Sequence, residues 1–467
     1  MKDINRRGFL KILGAGAALA AVGCTSGSKK SEATASKRGT GPMTLRTVPT
    51  TGDRVSLLGF GCMRFPTLDQ TSGRESDSAL DQEEINRMVD YAIAHGVNYF
   101  DTSPAYCKGA SEGATGIALS RHPREKYYIA TKASNFAPST WSFEASKEMY
   151  HKSMKELQVD YIDYYLLHGI GMGAERDGVE LSGNEAFDAR YIENGFLDFL
   201  LKEREAGRIR NLGFSYHGDV AVFDRLLAEH DRYKWDFVQI QMNYLDWHHA
   251  KEINERNTDA EYLYNELDKR GIPGVIMEPI LGGRLANVNH HVLGQMVQRR
   301  PDETAATWAF RFCGTYPRIL TVLSGMNKME HLEENVATFS PLEPLSKDEL
   351  AFLESAATEI LKYPTIPCTN CKYCMPCPYG LDIPAIFEHY NRCLTDDNVP
   401  ADSRDERYAA ARRAFLVGYD RSVPRLRQAD HCIACGKCVS HCPQRIKIPE
   451  RMADIASVTE ELRRNRV

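Results

Sequence analysis

Eight short apolar runs, separated by stretches with helical periodicity, occupy the chain between about Val55 and Phe339. They read VSLLGFG, NYFDT, YYIATK, YIDYYLLH, IRNLGFS, FVQIQMN, PGVIMEP and ILTVLSG. Near-continuous apolar strands suit a sheet buried on both faces, and intervening helices make successive strands parallel. Between Glu84 and His95, Ile85, Met88, Val89 and Ala92 recur at i, i+3, i+4 and i+7, giving one apolar helical stripe. Eight such units predict an α/β fold closed into a (β/α)8 TIM barrel. An open doubly wound sheet is the alternative. Gly59 and Gly61 begin a G-x-G that does not extend to G-x-G-x-x-G, which counts against it.

In such a barrel, polar residues at the C-terminal ends of strands face the active-site mouth. Those ends carry Asp101 after the second run, Lys132 after the third and His168 after the fourth, with Tyr106 just downstream of Asp101. The segment from Gly169 to Gly195, rich in glycine and charge, follows the fourth run and is a candidate substrate lid. Each residue alone could be a polar group satisfied within the barrel rim.

Taken together, N-Y-F-D-T-S-P-A-Y, I-A-T-K and Y-Y-L-L-H resemble the motifs of the aldo-keto reductases, over roughly residues 45 to 340. The resemblance implies hydride transfer between a nicotinamide cofactor and a small carbonyl or alcohol substrate. Tyr106 would be the general acid, Lys132 would lower its pKa, Asp101 would hold Lys132, and His168 would orient the carbonyl oxygen. It also implies that Ser215 and Gln239 bond the nicotinamide carboxamide, and that Glu334 and Asn335 contact the adenosine end. Two positions depart from the family pattern. Met277 stands where an aromatic ring usually stacks on the nicotinamide; a thioether packs there less specifically. Gly325 and His331 replace the Lys and Arg of NADPH-preferring members. A 2′-phosphate wants such cations, so NAD or NADP is expected without strong NADP preference, and Lys328 is a partial substitute. Tyr216 stands where many members carry asparagine.

Of thirteen cysteines, eight fall into two late clusters. One is Cys368-x2-Cys371-x2-Cys374-x2-Cys377-Pro378; the other is Cys432-x2-Cys435-x2-Cys438-x3-Cys442-Pro443. Thiolates so spaced converge on a metal centre. Zinc is the competing metal, and a disulfide framework would strain most pairings. The closing Cys-Pro resembles bacterial ferredoxins and implies two 4Fe–4S clusters. Their crossed ligation would group Cys368, Cys371, Cys374 and Cys442 at one, and Cys432, Cys435, Cys438 and Cys377 at the other. The first run is one residue short of the ferredoxin pattern, and the segment between the runs is long, which bears on the crossing. Cys62, Cys107, Cys313 and Cys393 read as ordinary cysteines.

The N-terminus has Arg6 and Arg7 before Phe9, Leu10 and Lys11, then an apolar run from Ile12 to Gly23. It resembles a twin-arginine export signal, and the run is shorter than the ~20 residues that span a bilayer. Ala21-Val22-Gly23-Cys24 resembles a lipoprotein cleavage box, with Cys24 as the lipid-bearing residue. That implies a protein exported already folded to the periplasm or envelope, consistent with cofactors inserted beforehand. The net charge of −5 gives no reason to expect nucleic acid. The arginine-rich stretch from Ser403 to Arg427 reads as a solvated helix face, with an anionic partner as the alternative. Residues 1–41 are thus signal and tether, 42–345 the barrel, and 346–467 a small, helical and loop-rich iron–sulfur domain.

Hydride moves two electrons and each cluster one, and no flavin motif bridges them. Three readings follow: a nicotinamide enzyme whose clusters exchange electrons with an envelope partner, a reductase with structural clusters, and a non-catalytic electron-transfer or binding lipoprotein.

Overall fold

The computed structural model describes residue 39 and residues 41–464, except 70–77, 364, 371, 401–402, 443 and 445. The export motif, Cys24 and Cys371 therefore lie outside the described residues.

Eight parallel strands close into a barrel in sequence order. They are β1 (Leu58–Gly61), β2 (Tyr99–Asp101), β3 (Tyr128–Ala133), β4 (Ile162–Ile170), β5 (Ile209–Tyr216), β6 (Phe237–Gln241), β7 (Gly274–Met277) and β8 (Ile319–Ser324). All eight apolar runs of the sequence become these strands. The open-sheet alternative is excluded, because β8 pairs back onto β1 and β5 pairs with β6. The helix Gln82–Ala94 buries Ile85, Met88, Val89 and Ala92, and Asp81 caps it by accepting from the Glu84 N–H. An apolar stripe on one side and an N-cap at its start suffice to define that element.

The alternation of a strand decides which residues reach the barrel interior. Tyr99, Ala130, Tyr164, Leu166, Phe237 and Val275 form an inner core, closed below by Val48 and Val55 of an N-terminal hairpin. Residues two further along β2, β3 and β4 face the same way, at the mouth: Asp101, Lys132 and His168. The register agrees, pairing Asp101 with Ala130 and Lys132 with Leu166. The intervening residues Phe100, Ile129 and Leu167 face outward into the larger core between strands and helices.

A second core lies in the C-terminal region, built from Ile366, Leu381, Ile386, Phe387, Phe415, Tyr419 and Met452 among others. The helices Ile383–Thr395, Tyr408–Ser422 and Ile448–Arg464 surround it. A boundary after residue 345 would place the helix Lys347–Leu361 with this region. It packs into the barrel core instead, through Phe352, Leu353, Ala356 and Ala357, so the second core begins only at Ile366. Among the described residues no helix is long and apolar enough to cross a membrane.

Candidate active site and cysteine centres

A cavity of about 950 Å³ opens at the C-terminal ends of the strands. Asp101, Tyr106, Lys132 and His168 all line it, as do Ser215, Gln239, Met277, Gly325, Glu334 and Asn335. The sequence scatters these ten residues over more than half the chain; the barrel brings them to one wall.

At its floor Lys132 Nζ donates to Asp101 Oδ1 at 2.6 Å and to the Thr102 carbonyl at 2.9 Å. The pair is almost wholly shut from solvent. Burial raises the Asp101 pKa and lowers that of Lys132, and the attraction between them opposes both shifts. The ammonium lies 4.9 Å from the centre of the Tyr106 ring. The His168 ring meets Tyr106 edge-on, 6.0 Å between centroids. Phenol, ammonium, carboxylate and imidazole therefore form one contiguous group.

Several residues that support the site were not read from the sequence. Ser134 Oγ lies 2.6 Å from His168 Nδ1 and fixes the ring's orientation, while Phe136 packs against it at a tilt, 4.8 Å between centroids. Ser134 is two residues beyond Lys132 on the same strand direction, so alternation alone could have found it. Arg190 is buried, donates to the His168 carbonyl at 2.5 Å, and had no such signal. It sits in the segment expected as a lid. That segment forms a small hairpin, Ala174–Arg176 with Val179–Leu181, and a short helical stretch; Gly169, Met172, Ala174 and Glu175 line the cavity. His217 also lines it, its pKa pushed down to about 4 by burial and then by Lys132. Tyr216 turns outward, bonded to the Gly218 carbonyl and to Thr258. At Gly325 an added Cβ would meet Arg64 Cδ at 2.9 Å, so the Arg64 stem occupies that space.

The donor set suits a nicotinamide nucleotide. Gln239 Oε1 is buried at the cavity wall without a hydrogen-bond partner, as an acceptor awaiting an amide N–H would be.

The C-terminal region contributes to the same cavity through Thr369, Asn370, Tyr373, Ser440, His441 and Gln444. Hydrogen bonds between described residues hold it there. Arg64 Nη2 donates to the Thr369 carbonyl at 2.9 Å, Arg284 Nη2 to Thr365 Oγ1 at 2.6 Å, and Asn254 Nδ2 to the Gln444 carbonyl. Gly282, at φ +64°, packs directly under the Thr369 carbonyl.

The cysteines group across the two runs. Cys368, Cys374 and Cys442 line one small pocket together with Ile383, Phe387 and Ile446. The Cys438 thiol is pushed up by burial and then by the thiols of Cys432, Cys377 and Cys435 around it. Both groupings take three cysteines or fewer from one run and one from the other, the arrangement that crossed ligation of two clusters needs. No three His, Cys, Asp or Glu among the described residues are close enough to hold a single ion; a cubane spaces its thiolates wider. Cys107 is buried with its thiol on the carbonyls of Cys62 and Met63, and Cys62, Cys313 and Cys393 are buried too.

Comparison with known proteins agrees with this geometry. The model of the aldo/keto reductase family matches residues 57–358. The chain belongs to the aldo/keto reductase family. A 4Fe-4S dicluster domain matches residues 367–446, and a twin-arginine translocation pathway signal sequence matches residues 3–23. Among relatives, an uncharacterized oxidoreductase YqkF of Bacillus subtilis is 25% identical over 329 residues, covering 64% of this chain and 92% of its own. L-galactose dehydrogenase of Arabidopsis thaliana is also 25% identical, covering 67% and 93%. Protein tas of Escherichia coli is 25% identical, covering 68% and 98%. A crystal structure of the thermostable aldo-keto reductase Tm1743 shares the fold with a TM-score of 0.51 at 20% identity, covering 67% of this chain and all of that one. This aldo/keto reductase is thus an exported oxidoreductase that carries a two-cluster iron–sulfur domain.

Proposed function

We propose that this protein transfers hydride between a nicotinamide nucleotide and a small carbonyl or alcohol substrate, with the iron–sulfur clusters exchanging electrons with an envelope partner. The observation that carries the reading is the contact of Tyr106, Lys132, Asp101 and His168 at the floor of one cavity.

A bound nucleotide would supply or accept the hydride at its nicotinamide ring. Tyr106 delivers the proton to the carbonyl oxygen. A free phenol titrates near ~10, and a cation within about 4–6 Å favours its ionised form. Lys132 lies at that range, and Asp101 keeps it charged and aimed. His168, oriented through Ser134, hydrogen-bonds the same oxygen. Ser215, Gln239 and Met277 would hold the nicotinamide, and Glu334 and Asn335 the adenosine end. Gly325 supplies no cation, and Arg64, whose stem fills the space there, turns Nη2 to the Thr369 carbonyl, so no strong preference for NADP over NAD is expected.

Cys368, Cys371, Cys374 and Cys442 would hold one cluster, and Cys432, Cys435, Cys438 and Cys377 the other. The clusters supply one-electron capacity beside a two-electron site. A second reading, in which the clusters are structural, draws on the six C-terminal residues that wall the cavity. On it, the domain serves to complete the pocket. Export in a folded state suits a nucleotide that travels inside the protein, and Cys24 would carry a lipid anchor.

Tyr106→Phe is the direct experiment. Carbonyl reduction with NADH or NADPH should fall about 10²–10⁴-fold, with nucleotide binding retained; an unchanged rate removes the acid role. Anaerobically purified protein should release a nicotinamide nucleotide on denaturation. Absence of any nucleotide, together with indifference to Tyr106→Phe, would leave a non-catalytic scaffold. Mass spectrometry of the mature N-terminus checks lipid at Cys24.

A further inference from the structure

Between the nucleotide cavity and the first cysteine run stands Arg284. It belongs to the turn Leu281–Ala286, whose residues Gly282, Gly283 and Ala286 line the cavity. Its Nη2 donates to Thr365 Oγ1 at 2.6 Å, while its Nη1 is shut from solvent with no hydrogen-bond partner. A guanidinium cannot shed its proton in a protein, and a buried one left half-satisfied is costly. Its neighbours include the buried carboxylate of Asp246, the sulfur of Cys368 and the phenol of Tyr244. Asp246 spends one oxygen on Gln241 and Asn243, leaves the other unpartnered, and makes no direct ion pair with Arg284.

We propose that Arg284 is a positioning residue that sets the reduction potential of the cluster bound by Cys368, Cys374 and Cys442, and ties that cluster to the loop lining the nucleotide cavity. A cluster held by thiolates gains negative charge on reduction. A fixed cation beside it stabilises the reduced form and raises its potential, more strongly where solvent is excluded. Asp246 opposes this by drawing on the same cation. Because Arg284 bonds beside the first cysteine run, the other cluster, grouped around Cys438, serves as the internal reference.

The inference rests on the reading that these cysteines hold iron–sulfur clusters. Iron and sulfide analysis of the full-length wild-type protein, purified anaerobically, tests that reading separately: absence of both overturns the reading and the inference together. With iron present, a redox titration followed by electron paramagnetic resonance reads both clusters. Arg284→Gln should lower one potential so that, at the wild-type midpoint, its reduced-to-oxidised ratio falls about tenfold, ~59 mV for a one-electron couple. The second cluster should stay in place. Arg284→Lys should recover most of the shift, and Asp246→Asn should move the same cluster the opposite way. Unmoved potentials, equal movement of both clusters, or a Lys variant no better than Gln would each overturn the role of Arg284. Should Arg284→Gln lose its iron, the Lys and Asp246→Asn variants decide, and immobility in both overturns it.

Discussion

Asp101, Lys132 and His168 project from three neighbouring strands whose register is fixed by backbone hydrogen bonds along a closed sheet. The cysteines, by contrast, stand on turns around a small core, and none of those described is fully buried; Cys435 is exposed. Among them Asn370, Lys372 and Ala434 hold positive φ values of 51°, 59° and 55°. Such conformations cost non-glycine residues about 1–3 kcal/mol each. The barrel mouth has such residues too, Cys107 at 49° and Lys108 at 55° beside Tyr106, but there the hydrogen bonds of a closed sheet hold the chemistry in place. The cysteine region keeps strained turns that sulfur–iron bonds would offset. Preorganisation in one region and ligand dependence in the other is the difference the two sites teach.

The sharpest way to break that contrast is to remove the iron. Because metal binding energy is folding energy where no preformed site exists, chelation should strip hydrogen-exchange protection from residues 365–464 and spare residues 57–340. Uniform loss, or none, would erase the distinction. Next in size is Lys132→Met, which leaves Asp101 buried and unpaired. It should cost about 3–5 kcal/mol in urea unfolding, with much of that regained when Asp101→Asn is added. Equal stability of Lys132→Met and wild type would mean that the pair does not hold the barrel floor.

How much of this could be read beforehand follows from the same contrast. Strand alternation and parallel burial are local, so the eight strands and the inward residues Asp101, Lys132 and His168 were legible from short runs. The crossed grouping of cysteines was expected from resemblance, despite the shortened first run. A boundary after residue 345 puts the helix Lys347–Leu361 with the cysteine region, yet it packs on the barrel core, because nothing local in sequence says which of two cores a helix joins. Arg190 and Arg284 were invisible for a similar reason. Each is a lone arginine in a short irregular helical turn, and its role exists only through partners far away in sequence: the His168 carbonyl for one, Thr365 for the other.

Preorganisation also stores a cost that pH can release. Glu112 is buried beneath the site, its hydroxyl partner Thr131 at 2.5 Å, and its pKa is raised from 4.5 to about 7 by burial above all. The neutral acid is therefore favoured in the folded state. Its contribution is fully present below the unfolded value and is lost as pH rises from about 4.5 through 7. At 1.36 kcal/mol per unit this is on the order of 3 kcal/mol. Thermal unfolding of Glu112→Gln should show a flatter decline across that window. A decline identical to wild type would place the titration elsewhere.

The smallest expected effect probes the seam between the two regions. Gly282 and Gly283 both hold left-handed backbone, at φ +64° and +99°, so alanine strains either one by roughly 1–3 kcal/mol. Their surroundings differ. A Cβ on Gly283 meets nothing within 4 Å, whereas one on Gly282 would lie 2.3 Å from the Thr369 carbonyl, which must then move. Gly282→Ala should therefore cost more than Gly283→Ala, and the excess should appear in the cysteine region as faster iron loss to a chelator. Thr369 also walls the cavity, so nucleotide affinity should fall in Gly282→Ala by more than in Gly283→Ala. Equal behaviour of the two variants would mean that the C-terminal region can lift away from the barrel without consequence for either site.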